Sequence, residues 1–562
     1  MQSGFRENIE ISGGKVLASA VILFTTVLLL AGCNLDRVSR EFSETMESYL
    51  SILQDESHEL SETAVFNPSF LGQLYEREDG YLRAKWDNLE NIDQLVSTIR
   101  YTYREGLNPE DYHLDMLEDM LDSILSGEAE IADSAIFDIL LTDAFLTLAA
   151  HFGGGRTDRR TLQPVWDIKD AQVVIYWQHF VDSSLLNMQV RENLLSLLPL
   201  HDEYGNLRES LAKYRETGEE DGWDHFSTSL DNLEKGMRHP DIARLRSRLA
   251  AEQGDPAAFV QDEELFDQSL KEQVELFQRR HSLSPDGIVD EETIAALNLP
   301  LYHLIDVIKA NLDRWRWMPA DMAERTVRVN IPGFELYALE NNNTQFSLRV
   351  IVGTEERPTP VFASAIKWVE LNPYWVVPPG MLKDEILPAI RQDIDYLQRH
   401  NMKVLSDDFS AVDPDTVDWH RDFDSGFPYI IRQEPGPYNQ MGEVKFELPN
   451  PYYVTMHDTP DRSLFIRDKR ILSSGCIRVD NPLRLAEWLL GQDEEWTVDR
   501  LREEVAEGEN LVIELSRPVP VEIVYITARV VDGHIYWYDD VYLFDGAVSS
   551  SLKAEPPRFE GE

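Results

Sequence analysis

The sequence predicts an α+β chain, with a helical front half and a mostly β back half. Apolar residues recur at helical spacing through the first part: Leu89, Ile92, Leu95, Val96 and Ile99, then Ile136, Ile139, Leu140, Leu141, Ala144, Phe145 and Leu148. From about residue 325 the pattern changes to strand-like alternation over 326–331, 334–339 and 347–352. The 562 residues leave room for several cores, and 43% hydrophobic with 27% charged residues is ordinary globular composition. A net charge of −49 argues against a nucleic-acid partner, because a polyanion repels phosphate.

Residues 1–33 read as a targeting segment rather than fold. Arg6 and Lys15 precede an apolar run, Val16 to Leu30. Its 15 residues fall short of the roughly 20 that span a bilayer. Leu30-Ala31-Gly32-Cys33 follows, and the whole resembles a bacterial lipoprotein signal with Cys33 as the lipidation site. The resemblance implies a lipid-anchored chain in the periplasm or cell envelope. Asn34 after the cysteine favours the outer membrane over the inner.

Polar, serine-rich residues 34–62 are expected to form a linker or peripheral helix, and residues 63–240 a helical scaffold domain. Gly153-Gly154-Gly155 reads as a helix end and turn: no Lys-Ser/Thr follows, as a phosphate loop would need. His151 has no partner at metal-ligand spacing and reads as structural. The charged stretch 203–240 reads as peripheral. Residues 241–299 read as a small helical module, with an amphipathic helix to Leu283, a Pro285-Asp286-Gly287 turn, and Asp290 capping a further helix. Residues 300–545 form the strand-rich domain, interrupted at 381–430 by a helix-rich insert running to about Leu405; 546–562 read as a loose tail. A strand is expected from Tyr452 to Met456 and a helix from Pro482 to Leu490.

The chemistry centres on one of only two cysteines. Cys476 sits in Ser473-Ser474-Gly475-Cys476-Ile477-Arg478-Val479, with His457 nineteen residues upstream in Met456-His457-Asp458-Thr459-Pro460. A cysteine nucleophile needs a base to take its proton, and His457 at a strand end is placed to serve. Gly475 lets backbone approach a reacting carbonyl, and the N–H groups of Gly475 and Cys476 are candidate oxyanion donors. Arg478 can grip a carboxylate through two parallel hydrogen bonds. A zinc site would want three or four ligands, so neither metal nor organic cofactor is expected.

Two wider strings carry family resemblances. Val274 to Leu283, Pro285 to Asp290 and Thr293 to Asn298 resemble the peptidoglycan-binding type 1 module. Ile431 to Phe446, then His457-Asp458-Thr459-Pro460, Phe465 and Ser473 to Val479, resemble the YkuD-type L,D-transpeptidases, above all their large YcbB-like periplasmic subgroup. Gly106 to His113 and Leu141 to Phe145 resemble that subgroup's scaffold. The chain departs from the family at Ser474, where many members have His, and at Thr455, where Tyr is common. The resemblance implies a cysteine acyl-enzyme that joins peptidoglycan stem peptides 3→3, with a tetrapeptide donor and a third-residue amine acceptor. It implies Cys476, His457 and Gly475 as catalytic, and Ser474, Arg478, Asp458, Thr459 and Asn439 on the substrate side. Asp458 or Thr459 would orient the imidazole, the insert would cap the cleft, and carbapenems would acylate Cys476. Water as acceptor would make a carboxypeptidase, and a protein lysine would make an attachment enzyme. A non-catalytic wall-binding lipoprotein is the third class.

Overall fold

The computed structural model describes residues 35–557 apart from 55–58, 61–62, 76, 79, 163–165, 169–175, 220–222, 254–261, 320–322, 422–425 and 492–494. Cys33 and the rest of the targeting segment lie outside the described residues.

The front half is helical for the reasons the periodicity gives, with two corrections. Helix α1 (Leu35–Gln54) occupies the stretch expected to be a linker. Phe42, Met46, Leu50 and Leu53 form a buried stripe at helical spacing, which draws α1 into the scaffold core. Helix α2 (Leu89–Tyr101) buries its expected apolar face. Helix α3 (Ile131–Gly154) is buried on almost every side and ends at Gly155, whose φ is +85°. A Cβ there would lie 2.2 Å from Trp317 Nε1, so the third glycine permits close packing as well as the turn. His151 is buried and bonds Tyr112 Oη through Nδ1 at 2.9 Å.

The second correction concerns 203–240. Helix α4 (Asp202–Glu219) buries Tyr204, Leu207, Leu211 and Tyr214 and packs along a later helix, α8 (Leu301–Arg316). Some of its charged residues turn inward too: Glu203 pairs with Arg328 and Arg529, and Arg208 with the buried Glu105.

The module comprises α5 (Pro240–Gln253), α6 (Gln268–Arg280) and α7 (Glu291–Leu297), with a core of its own. That core takes in Phe226 and Leu233, and Leu233 exchanges backbone hydrogen bonds with Val289. The unit therefore starts ahead of residue 241. Its motif is an internal weld: Gln278 Nε2 donates to Asp286 Oδ1, Ile288 O and Thr293 Oγ1, while Gln278 Oε1 accepts from Gly287 N.

In the back half a nine-stranded sheet follows α8. Its strands are β1 (Arg325–Asn330), β2 (Glu335–Glu340), β3 (Asn343–Gly353), β4 (Phe362–Leu371), β9 (Val444–Glu447), β10 (Met456–His457), β11 (Ile471–Ser473), β12 (Ile477–Val479) and β13 (Leu511–Val524). Their order is β11-β3-β12-β10-β9-β4-β13-β1-β2, and β3 also pairs with β2, so the sheet closes on itself. The expected strand at 452–456 is shorter. Asn450 Oδ1 caps the N–H groups of Tyr452 and Val454, and Tyr453 turns at φ +58°, which delays extended chain until Met456.

The insert carries a third core, built around Trp375, Leu387, Val404 and Ile431. Among the described residues its α-helical turns occupy only the first part, with a single 3-10 turn later at Pro414–Thr416. Asn401 at φ +51° ends them, and a small antiparallel sheet follows in the order β7-β6-β8-β5. Its strands are β5 (Trp375–Val376), β6 (Met402–Leu405), β7 (Ala411–Val412) and β8 (Ile430–Gln433).

After helix α9 (Pro482–Leu490) and β13, the hairpin β14 (Ala528–Val531) and β15 (His534–Trp537) receives the module: Arg280 Nε donates to Ile535 O and Ser282 Oγ to Trp537 O. The expected tail opens with a docked helix, α10 (Asp545–Lys553). Its Val548 is fully buried, worth about 1.5–3 kcal/mol, and Arg156 donates to the carbonyls of Ser551 and Ala554. Scaffold and closed sheet share one continuous core.

Candidate active site

The site is set by register. Strands β10 and β12 run parallel, with Met456 level with Ile477 and His457 level with Arg478. Side chains alternate faces along a strand. Met456 and Ile477 are fully buried in the core, so the neighbours on either side turn to the opposite face. Thr455, His457, Cys476 and Arg478 form the corners of a square there, with Thr455 beside Cys476 and His457 diagonal to it. Thr455 Oγ1 lies 3.5 Å from Cys476 Sγ, and Thr455 O accepts from Ile477 N at 2.9 Å.

His457 is 5% exposed. Its Nδ1 sits 2.5 Å from the carbonyl oxygen of Asp458, so Nδ1 carries the proton and Nε2 is the acceptor nitrogen; the Met441 carbonyl also neighbours the ring. Burial, reinforced by the Arg478 guanidinium, pulls its pKa down to about 4. A neutral imidazole at neutral pH is what a general base requires. The guanidinium of Arg478 is itself pushed below its usual value by burial, and its Nε has no protein hydrogen-bond partner among the described residues. It interacts electrostatically with Cys476 and is free to meet a substrate anion.

The Cys476 loop is held both by its own Ser473 and from outside the motif. Gly475 turns at φ +104°. Ser473 Oγ accepts from Gly475 N at 3.2 Å and donates to Cys476 O at 2.5 Å. The Gly475 N–H is therefore engaged, which corrects its expected oxyanion role and leaves the Cys476 N–H as the candidate. Thr359 Oγ1 donates to Gly475 O and accepts from Gly353 N, each at 2.9 Å. Tyr542 Oη donates to Gly353 O at 2.7 Å and accepts from Thr359 N at 3.2 Å. Gly353 has no room for a side chain: a Cβ would lie 2.1 Å from Arg357 O. Thr359 and Tyr542 lie far from Cys476 in sequence, and no local motif marks them.

Three residues expected on the substrate side are engaged elsewhere. Asp458 Oδ2 accepts from Glu443 N at 2.9 Å and Arg462 Nη2 at 3.0 Å, so its carboxylate closes a loop while its main-chain carbonyl orients the imidazole. Asn439 is buried, donating to Pro373 O and Glu434 O and accepting from Met441 N. Thr459 is buried and accepts a long bond from Asp461 N. Ser474 is exposed at the mouth of the site, 3.4 Å from Arg357 Nη1. Arg357 also reaches within 3.9 Å of Asp384 on the insert. It is a cation at the rim that sequence reasoning missed, because it belongs to no motif.

Comparisons with known proteins match three families along the chain. Residues 324–522 match the YkuD family, described as L,D-transpeptidase catalytic domain. Residues 70–211 match a family described as Scaffold domain, and 238–297 one described as "Putative peptidoglycan binding domain". A Haemophilus influenzae protein named "Putative L,D-transpeptidase" is 35% identical over 221 residues, covering 39% of this chain and 45% of that protein. The chain thus spans less than half the length of that relative. Two crystal structures of L,D-transpeptidases overlap more loosely. The one from Xylanimonas cellulosilytica is 14% identical over 53% of this chain and 100% of its own, with a TM-score of 0.18. The one from Stackebrandtia nassauensis is 12% identical over 53% and 97%, with a TM-score of 0.20. At those scores they add no argument to the family match. The chain carries a YkuD-type L,D-transpeptidase catalytic domain, preceded by a scaffold domain and a peptidoglycan-binding module.

Proposed function

We propose that the chain is a peptidoglycan L,D-transpeptidase that forms 3→3 cross-links through a thioester on Cys476. The observation that carries this reading is the square on the sheet, which puts a thiol, a neutral imidazole and a guanidinium whose Nε has no partner among the described residues on one face. His457 Nε2 takes the Cys476 proton as Sγ attacks the carbonyl of the third residue of a tetrapeptide stem. The Cys476 N–H steadies the oxyanion. The bond to the terminal D-Ala nitrogen breaks, that nitrogen takes the proton from His457, and D-Ala leaves a thioester behind. The side-chain amine of a second stem then attacks the thioester, passes its proton to His457, and releases the thiolate, which recovers that proton. Arg478 and Arg357 hold the carboxylates of the stems.

Cys33 anchors this activity by lipid in the envelope, on the outer membrane, and the module keeps it against the wall. Carbapenems act on the same cysteine. Purified full-length protein incubated with a disaccharide-tetrapeptide, with Cys476→Ala alongside, tests the reading. A muropeptide dimer lacking one D-Ala, absent from the variant, is expected. Loss of D-Ala without a dimer would make it a carboxypeptidase, and no product would leave a wall-binding lipoprotein.

A further inference from the structure

We propose that Thr455 is a catalytic residue whose hydroxyl donates a hydrogen bond to the Cys476 sulfur when that sulfur is a thiolate. The proposal rests on the reading of Cys476 as nucleophile. Oγ1 lies 3.5 Å from Sγ, and this is contact between residues that the strand register holds side by side. The Thr455 carbonyl is tied to Ile477 N at 2.9 Å, which fixes the backbone of one partner against the strand of the other. A β-branched side chain has few χ1 choices, so the hydroxyl is delivered with little loss of freedom.

The two threonine and histidine neighbours then divide the work. The thiol proton passes to His457 Nε2, while Thr455 keeps its own proton and stabilises the charge left on sulfur. No further proton moves. At rest His457 is neutral down to about pH 4, so an imidazolium does not offset that charge before the transfer. The other groups around the sulfur are the Arg478 guanidinium on β12, which also faces Asp461, and Arg357 at the rim beside Ser474. None of these is altered by changing Thr455. Thr455 thus supplies part of what a solvating water would give a thiolate.

The test is the rate of alkylation of Cys476 by iodoacetamide across pH, mapped by peptide mass in the full chain, for Thr455→Val, Thr455→Ala and Thr455→Ser. Hydrogen bonds to charged groups are worth enough that both hydroxyl-free variants should react about tenfold more slowly at neutral pH. Their profiles should move to higher pH, with an alkaline plateau at or above the wild-type one, because a less stabilised thiolate is the stronger nucleophile. Thr455→Ser should restore the wild-type profile. Superposable profiles for Val and wild type would overturn the proposal. So would an equal fractional loss at every pH, which would mean that Thr455 only packs. Turnover surviving in Cys476→Ala would instead overturn the nucleophile reading itself.

Discussion

The module and the catalytic square are each marked by a short polar motif, but the two motifs differ in how fully they are satisfied. Around Gln278 every side-chain polar atom finds a partner inside the module: three acceptors for Nε2 and a backbone N–H for Oε1. Around Cys476 the satisfaction stops short. Arg478 Nε has no protein partner among the described residues, and His457 is held neutral beside Cys476. Buried polar groups normally pair. An open guanidinium nitrogen alone marks no site, since Arg280 Nη1 in the module is open too; beside a thiol and a neutral imidazole it is placed for something that arrives from outside. The Gln278 motif accounts for the module's shape and leaves its ligand to other residues; the Cys476 motif accounts for chemistry.

That contrast can be broken or sharpened by substitution. Removing the nucleophile in Cys476→Ala should lower turnover by roughly 10⁴-fold or more while leaving thermal unfolding unchanged. The opposite split is expected at Gln278→Ala. The module should lose about 2–4 kcal/mol, read as an early transition in denaturant unfolding, with carbapenem acylation of Cys476 unaffected because the module has its own core. Thr359→Val leaves the Gly475 carbonyl and Gly353 N–H without their shared partner and should slow acylation about tenfold, with Thr359→Ser restoring it.

The pH dependence sharpens the electrostatic part. Protonation of the base sets the acid limb of acylation, and His457 stays neutral above about 4, so the limb should fall near that value rather than near the ordinary histidine pKa of about 6.5. Arg478→Gln removes one cause of the depression and should move the limb upward. Burial, the larger cause, should keep it below about 6.5. The smallest effect belongs to Thr459→Ala. Its hydroxyl accepts one 3.4 Å bond, and turnover should change by less than about threefold.

Much of this was legible in the sequence, because the informative signals were local. Alternation placed β1, β2 and β3, and Ser473 to Val479 with His457 singled out the thiol and imidazole that the sheet brings to one face. Local signals also explain what was missed. Residues 34–62 and 203–219 are rich in charge, and their buried stripes show only when every third or fourth residue is read alone. The short α10 has too few apolar residues to stand out, and is held by Arg156 from the scaffold. Asp458 sits beside His457, so proximity suggested its carboxylate, yet its carbonyl does the orienting. Thr359 and Tyr542 support the Gly475 turn across more than sixty residues of chain, a relation that only the closed sheet creates. Thr455 was within reach, since a two-residue step from His457 on a strand keeps the same face.

The most direct test of the account is the intact mass of the full chain, acid-quenched during turnover with a disaccharide-tetrapeptide and then digested. The account predicts an adduct equal to the muropeptide minus D-Ala, carried by the peptide that contains Cys476 and discharged when acceptor is added. An adduct on any other residue, or wild-type turnover with no covalent adduct, would contradict it.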